Sequence, residues 1–216
     1  MLLVKPSFEI WTPLSGEVLS LVERAGRTAY KSEQKITPES NLKFVEGIIK
    51  SGHESVIEHF NITVKIICDR GVTHEIVRHR LVSYSQESTR YCNYKGGVTF
   101  VIPPWVKIEP GEYPTGRVPS SEREDILWFL LMMKAEGTYI ELLRNGWSPQ
   151  QARSVLPNSL KTEIVMTANL REWRHIFKLR TSKAAHPQMR EIMVPLLRRF
   201  KELVPVVYDD IRVNDG

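Results

Sequence analysis

Two stretches of the chain alternate apolar and polar residues with a period of two. Over 61–69, Ile62, Val64, Ile66 and Cys68 point one way and Asn61, Thr63, Lys65 and Ile67 the other. Over 160–168, Leu160, Thr162, Ile164, Met166 and Ala168 alternate with Lys161, Glu163, Val165 and Thr167. Both patterns predict strands with one buried face. Residues 2–11, carrying Val4, Phe8 and Ile10, and Val98 to Ile102, closed by Pro103-Pro104, read as further strands.

The helical period appears elsewhere. Residues 15–28 place Val18, Leu19, Leu21, Val22 and Ala25 on or near one face. Thr37-Pro38 reads as a helix start with proline at the first helical position. Leu42, Val45 and Ile48/Ile49 then recur at helical spacing, with Gly52 as the stop. Arg70-Gly71 reads as a turn before a helix from Val72 to about His79, and Leu81 to Gly97 as a long functional loop. Residues 105–119, rich in proline and glycine toward their end, read as a surface loop. Ser121 and Glu124 have capping-box spacing and open a long helix to about Asn145, stopped by Gly146. Its apolar stretch from Ile126 to Met133 predicts burial on more than one side, by core or partner subunit. Ser148-Pro149 caps a short helix ending near Pro157, and Asn169 caps one from about Leu170 to Leu179. The last helix runs from about Pro187 to Leu203, with Ile192, Met193, Leu196, Leu197 and Phe200 inward and a kink expected at Pro195.

Helices and strands thus come in blocks rather than in regular βαβ alternation. This predicts an α+β fold, a mostly antiparallel sheet flanked by long helices, in a single domain over 1–216. Neither the dinucleotide glycine fingerprint nor the P-loop pattern occurs. No apolar run approaches the roughly 20 residues of a membrane span, and Met1 to Pro6 lacks the features of a signal peptide. A cytoplasmic protein is expected. Cys68 and Cys92 show no metal or disulfide spacing and read as reduced structural thiols.

The net charge of +5 favours anionic partners without choosing between phosphorylated small molecules and nucleic acid. The candidate chemistry lies at 78–90. Arg78, His79 and Arg80 are consecutive, and Ser83, Ser85, Ser88, Thr89 and Arg90 follow within ten positions. Guanidinium forks and hydroxyls make an anion site; a solvated helix end carrying cations is the equally weighted alternative from composition alone. Ser83 or Ser88 as nucleophile would need a ready base, and His79, inside a cationic cluster, is a poor one. The spacings of His53, His59, His74 and His79 do not stack them on one helix face, so no metal is expected. The basic residues of the last third permit nucleic-acid binding. No nucleic-acid-binding signature accompanies them, and those of the last helix lie opposite its apolar stripe.

The order Arg-His-Arg, two residues, Ser83, four residues, Ser88, one residue, Arg90 resembles the signature of the flavin-dependent thymidylate synthases. Gly52-His53-Glu54-Ser55 with Glu58-His59, Arg153 to Pro157, and Asn169-Leu170-Arg171 with His175 and Leu179-Arg180 resemble further blocks of that family, in order and approximate spacing over most of the chain. The resemblance implies conversion of dUMP to dTMP. Methylenetetrahydrofolate would be the carbon donor and FAD, reduced by NADPH, the hydride source, in a homotetramer with sites shared between subunits. It places Ser55, Arg78, His79, Arg80, Gln86, Asn169, Leu170, Arg171 and His175 at the flavin. It places Glu75, Arg78, Gln86, Glu87, Ser88, Thr89, Arg90, Arg153 and Arg180 at dUMP, with Arg180 as the group that activates the pyrimidine. Glu75, Gln86 and His175 depart from the commonest family residues, which are glutamine, glutamate and asparagine. A generic FAD-dependent reductase and a basic nucleic-acid-binding protein are the rival readings.

Overall fold

A computed structural model describes residues 1–14 and 16–213. In chain order the elements are β1 (Leu2–Val4), β2 (Ser7–Ile10), α1 (Glu17–Ala29), α2 (Ser40–Lys50), β3 (Asn61–Asp69), α3 (Arg70–Ile76) and β4 (Ser83–Gln86). They continue as β5 (Thr99–Val101), β6 (Gly111–Glu112), α4 (Arg123–Arg144), α5 (Pro149–Ala152), β7 (Lys161–Asn169), α6 (Leu170–Arg180) and α7 (Pro187–Leu203). Single turns of 3₁₀-helix occupy Glu33–Lys35 and Arg153–Val155, and a longer one Glu54–His59. The expected α+β class is the observed one. The described residues fall into two compact units: 1–7, 66–78 and 84–165 make the first; 8–65, 79–83 and those from 166 onward make the second.

In the first unit, β1 pairs in parallel with β5, Leu3 opposite Phe100, and antiparallel with β6. Its core gathers Leu3, Phe100 and Ile102 against Phe129, Met132 and Tyr139 of α4. The other sheet has the order β2-β3-β7-β4. The alternation expected for β3 and β7 is observed, every second residue being buried. In the second unit the core is aromatic: Trp173, Phe177, Phe200 and Tyr208 pack with ring centroids 5.0–5.7 Å apart.

Several boundaries differ from the expected ones, each for a local reason. Residues 2–11 break into β1 and β2 around Lys5-Pro6, because proline removes a ladder donor. Ser15, the first residue of the expected helix, lies outside the described residues; α1 starts at Glu17 and buries Glu23 and Gly26, while Leu21 is exposed. Thr37-Pro38 lies outside α2, in a turn where Ser40 Oγ accepts from Thr37 N–H. Leu42 is exposed. Gly52 and Gly146 follow their helices at φ +70° and +88°, the left-handed conformation that glycine adopts without steric cost. Arg70-Gly71 is no turn. The Asp69 carboxylate accepts from Val72 N–H at 2.7 Å and caps a helix that begins at Arg70 and ends at Ile76. The expected capping box at Ser121 does not form, because the Ser121 hydroxyl donates to Asp125 at 2.6 Å. Part of the expected loop after Leu81 is strand β4. On α4, Leu127, Leu130 and Leu131 are exposed, so only one side of its apolar stretch is covered within the chain.

The second unit buries one arginine. Arg174 is 2% exposed and is bound by Glu54, by both carboxylate oxygens of Asp210, and by the Val207 carbonyl. Replacing Arg174 with methionine strands that buried carbonyl, while the exposed Asp210 carboxylate is rehydrated. Urea denaturation should show a loss of about 1–3 kcal/mol; an unchanged midpoint would mean the network adds nothing.

Candidate active site

In the second unit, α6 begins where Asn169 accepts from Glu172 N–H at 2.8 Å. This cap orients the helix so that Arg171, Glu172, His175 and Lys178 line an open cavity of about 700 Å³, together with Asn169, Glu54, Glu58 and Leu81. Arg171 donates Nη1 to Glu58 at 2.6 Å and turns Nε toward Glu54 at 3.8 Å.

His79 is buried beside this cavity's wall. Its Nε2 accepts from Arg180 Nε–H at 3.0 Å, its Nδ1 faces Glu172 Oε1 at 3.6 Å, and its ring meets that of His175 edge-on at 5.7 Å. Burial first, then the Arg180 cation and His175, push its pKa from the usual 6.5 down to about 4. His79 is therefore neutral near pH 7. Burial also raises the Glu172 carboxyl, against a smaller lowering influence of His175. The donor atoms of His79, Glu172 and His175 lie within 4.8 Å of one another. A metal there would sit beside the Arg180 guanidinium and compete for the His79 lone pair, which disfavours a cation.

The depressed pKa has a consequence for stability. Between about pH 6.5 and about pH 4 the unfolded chain binds the histidine proton and the folded chain does not. Stability is then fully present above pH 6.5 and falls with pH through that window. The His79 contribution to the loss between pH 7.5 and pH 5 is about 2 kcal/mol. Urea unfolding of the native chain and of His79→Gln at both pH values should differ by that amount, and identical pH dependences would contradict it.

The first unit holds a different cavity, of about 470 Å³, lined by Arg70, Thr89, Gln150, Arg153, Ser154, Leu156, Pro157, Asn158 and Leu160. Arg153 donates Nη1 to Thr89 Oγ1 at 3.0 Å. Arg70 Nη1 is buried with no hydrogen-bond partner among the described residues. A buried guanidinium nitrogen without an acceptor is costly, and an anion entering the cavity would satisfy it. Nearby, Glu87 accepts from Tyr94 Oη–H at 2.7 Å and from Lys161 Nζ at 3.2 Å. Lys161 loses from burial, but Glu163 and Glu87 outweigh that and hold its pKa above the ordinary value.

The structure thus sorts most of the expected site residues by unit. His79, Arg80, Asn169, Arg171 and His175 fall in the second unit, as does Arg180; Glu75, Arg78, Gln86, Glu87, Ser88, Thr89, Arg90 and Arg153 fall in the first. Others are engaged within the chain or lie off the cavity linings. Leu170 is wholly buried, its N–H donated to Phe60 and its carbonyl facing Tyr208. Ser55 is exposed and does not line the cavity, although Glu54 and Glu58 of the same turn do. Gln86 donates to Thr73 and Thr162 at 3.1 and 3.2 Å, so its amide already supports β4. Arg90 lies over the Tyr91 ring at 5.4 Å, and Ser88 accepts from Arg90 N–H at 3.3 Å. Arg70 and Glu172 were not singled out from the sequence. The readable signals were the N-cap Asp69, which puts Arg70 in a first helical turn, and the spacing of Glu172 and Arg180 on one helix.

The family model described as thymidylate synthase complementing protein matches residues 15–206. The flavin-dependent thymidylate synthase of Mycobacteroides abscessus is 35% identical over 201 residues, covering 90% of this chain and 80% of that one. That of Mycobacterium tuberculosis is 34% identical over 211 residues, covering 94% and 84%. Among solved structures, the UMP/dUMP methylase PolB from Streptomyces cacaoi, bound with 5-Br dUMP, superposes with a TM-score of 0.76 at 23% identity, over 97% of this chain and 96% of that one. The match along residues 15–206, with relatives above 30% identity over most of both chains, shows that this chain belongs to the flavin-dependent thymidylate synthase family.

Proposed function

We propose that the chain converts dUMP to dTMP, taking the carbon from methylenetetrahydrofolate and the reducing electrons from NADPH by way of FAD. The observation that carries the nucleotide half is the cavity of the first unit. Arg153 and Thr89 are already joined there, and Arg70 Nη1 waits buried without an acceptor. A phosphate dianion supplies acceptors for both guanidinium groups. Ser88, Thr89 and Arg90 add hydroxyl and cationic donors from the neighbouring loop, and Glu75, Arg78, Gln86 and Glu87 complete this reading of the nucleotide site.

The flavin half rests on the cavity at α6. Its volume suits part of a dinucleotide, the start of α6 favours phosphate, and Arg171 and Lys178 supply charge. Arg171 has donors to spare beyond its contact with Glu58. FAD, when bound, supplies the hydride drawn from NADPH. His79, Arg80, Asn169, Arg171 and His175 would hold it, with Arg78, Ser55, Gln86 and Leu170 as the remaining family-pattern positions. Arg180 offers its guanidinium to the pyrimidine and stabilises negative charge as it develops on the ring.

We further read the enzyme as one catalytic domain acting in the cytoplasm as a homotetramer. The exposed Leu127, Leu130 and Leu131 of α4 support a subunit contact. Among the described residues, no helix is long and apolar enough to cross a membrane. NADPH oxidation by the FAD-loaded protein should accelerate when dUMP is added. Oxidation indifferent to dUMP would favour a generic flavin reductase, and a colourless protein with salt-dependent DNA binding would remove the reading altogether.

Cys68 is not poised for attack on the ring. Cys68 is fully buried and burial pushes its thiol pKa far up, which suppresses the reactive thiolate. Cys92→Ala and Ser88→Ala should each retain turnover, since hydride supplied by the cofactor makes a protein nucleophile unnecessary. Total loss of dTMP formation in either variant, with FAD and dUMP still bound, would show a nucleophile after all.

A further inference from the structure

Glu172 and Arg180 stand at opposite ends of α6, eight residues and about 12 Å of helix rise apart. They do not meet along the helix. His79, from another part of the second unit, touches both: Nε2 takes the Arg180 Nε–H at 3.0 Å, and Nδ1 faces the Glu172 carboxylate at 3.6 Å. We propose that Glu172 and His79 form a positioning relay that fixes the guanidinium of Arg180 for the reaction on the pyrimidine. The inference rests on the reading of Arg180 as the activating cation.

The relay follows from the chemistry of imidazole. A neutral ring has one N–H and one lone pair, and the acceptor facing one nitrogen decides which is which. Glu172, 8% exposed, puts an acceptor before Nδ1 and favours the proton there. The lone pair then falls on Nε2, where Arg180 donates. Closing the 3.6 Å gap by a few tenths of an ångström makes the first contact a hydrogen bond. Committing Nε–H to His79 fixes the plane of the guanidinium fork and so sets the direction of both Nη groups. In the other tautomer, Nε2–H would confront the Arg180 donor and the fork would lose its anchor. Asn169 secures the relay's far end, because its cap on Glu172 N–H sets the first turn of α6.

A double-mutant cycle tests this in the FAD-loaded enzyme. Glu172→Ala should lower dTMP turnover about tenfold. Rates are taken per bound FAD, read by its visible absorbance, and dUMP affinity, read by calorimetry, should stay near native. Glu172→Gln, whose carbonyl still accepts from Nδ1–H, should recover most of the turnover. In an Arg180→Lys background, which has no Nε–H to anchor, Glu172→Ala should cost nothing more. Independent, multiplying losses in the double variant would overturn the relay, as would a Glu172→Gln enzyme no better than Glu172→Ala. If Arg180→Lys alone turned over at the native rate, the assignment of Arg180 itself would fall, and the relay with it.

Discussion

Arg180→Ala should cut dTMP formation by about a thousandfold while the protein stays folded and yellow. Removing one preorganised donor from a site of developing negative charge costs about 10²–10³ in turnover. Arg180 is a full cation, and its contribution lies at the upper end of that range. It is half-buried in the last turn of α6 and donates Nε–H to His79; the helix is held by Trp173, Ile176 and Phe177 in the core, so the loss of Arg180 leaves it intact. His79, relieved of the adjacent charge, should then titrate above its present value of about 4. Initial rates with saturating dUMP, set against FAD content, provide the measurement. Turnover within tenfold of native would remove Arg180 from the chemistry.

Substitutions in the first unit should act differently. Arg153→Gln and Arg70→Gln should each raise KM for dUMP roughly tenfold to a hundredfold, as expected for loss of a charge-assisted bond, with kcat changing much less. Deoxyuridine, which has no phosphate, should be turned over equally poorly by both variants and by the native enzyme. Stability separates the two residues further. Arg153 supports Thr89, whereas Arg70 Nη1 supports no one. Arg70→Gln should therefore leave the ligand-free protein as stable as before or slightly more so, since a buried nitrogen without an acceptor is a cost. Equal losses with dUMP and deoxyuridine would mean that the cavity does not hold the phosphate.

How much of this was legible in the chain depended on whether local pattern or distant pairing set each feature. β3, β7 and α7 were readable because one face of each is buried along its whole length. β4 was not, because Ser-Tyr-Ser-Gln has no apolar alternation; the pairing Glu87 N–H to the Glu163 carbonyl beside it comes from residues far along the chain. The Arg70 helix was hidden by reading Gly71 as a turn signal when Asp69 was the stronger cue as a cap. At the site, the motif 78–90 drew attention to His79 and its neighbours. It could not reveal that His79 would bridge to Arg180 across 101 positions, nor that Glu172 would stand behind it. Leu170 shows another gap: the motif that carries it says nothing of burial, and its side chain folds into the core.

The central claim is that this chain makes dTMP by a flavin-dependent route. It is tested most directly by supplying the purified protein with dUMP, methylenetetrahydrofolate and NADPH, with and without FAD, and quantifying dTMP. The expected result is dTMP in proportion to bound FAD and none in the flavin-free protein. Equal dTMP formation without flavin, or none from a protein fully loaded with FAD, would contradict the account.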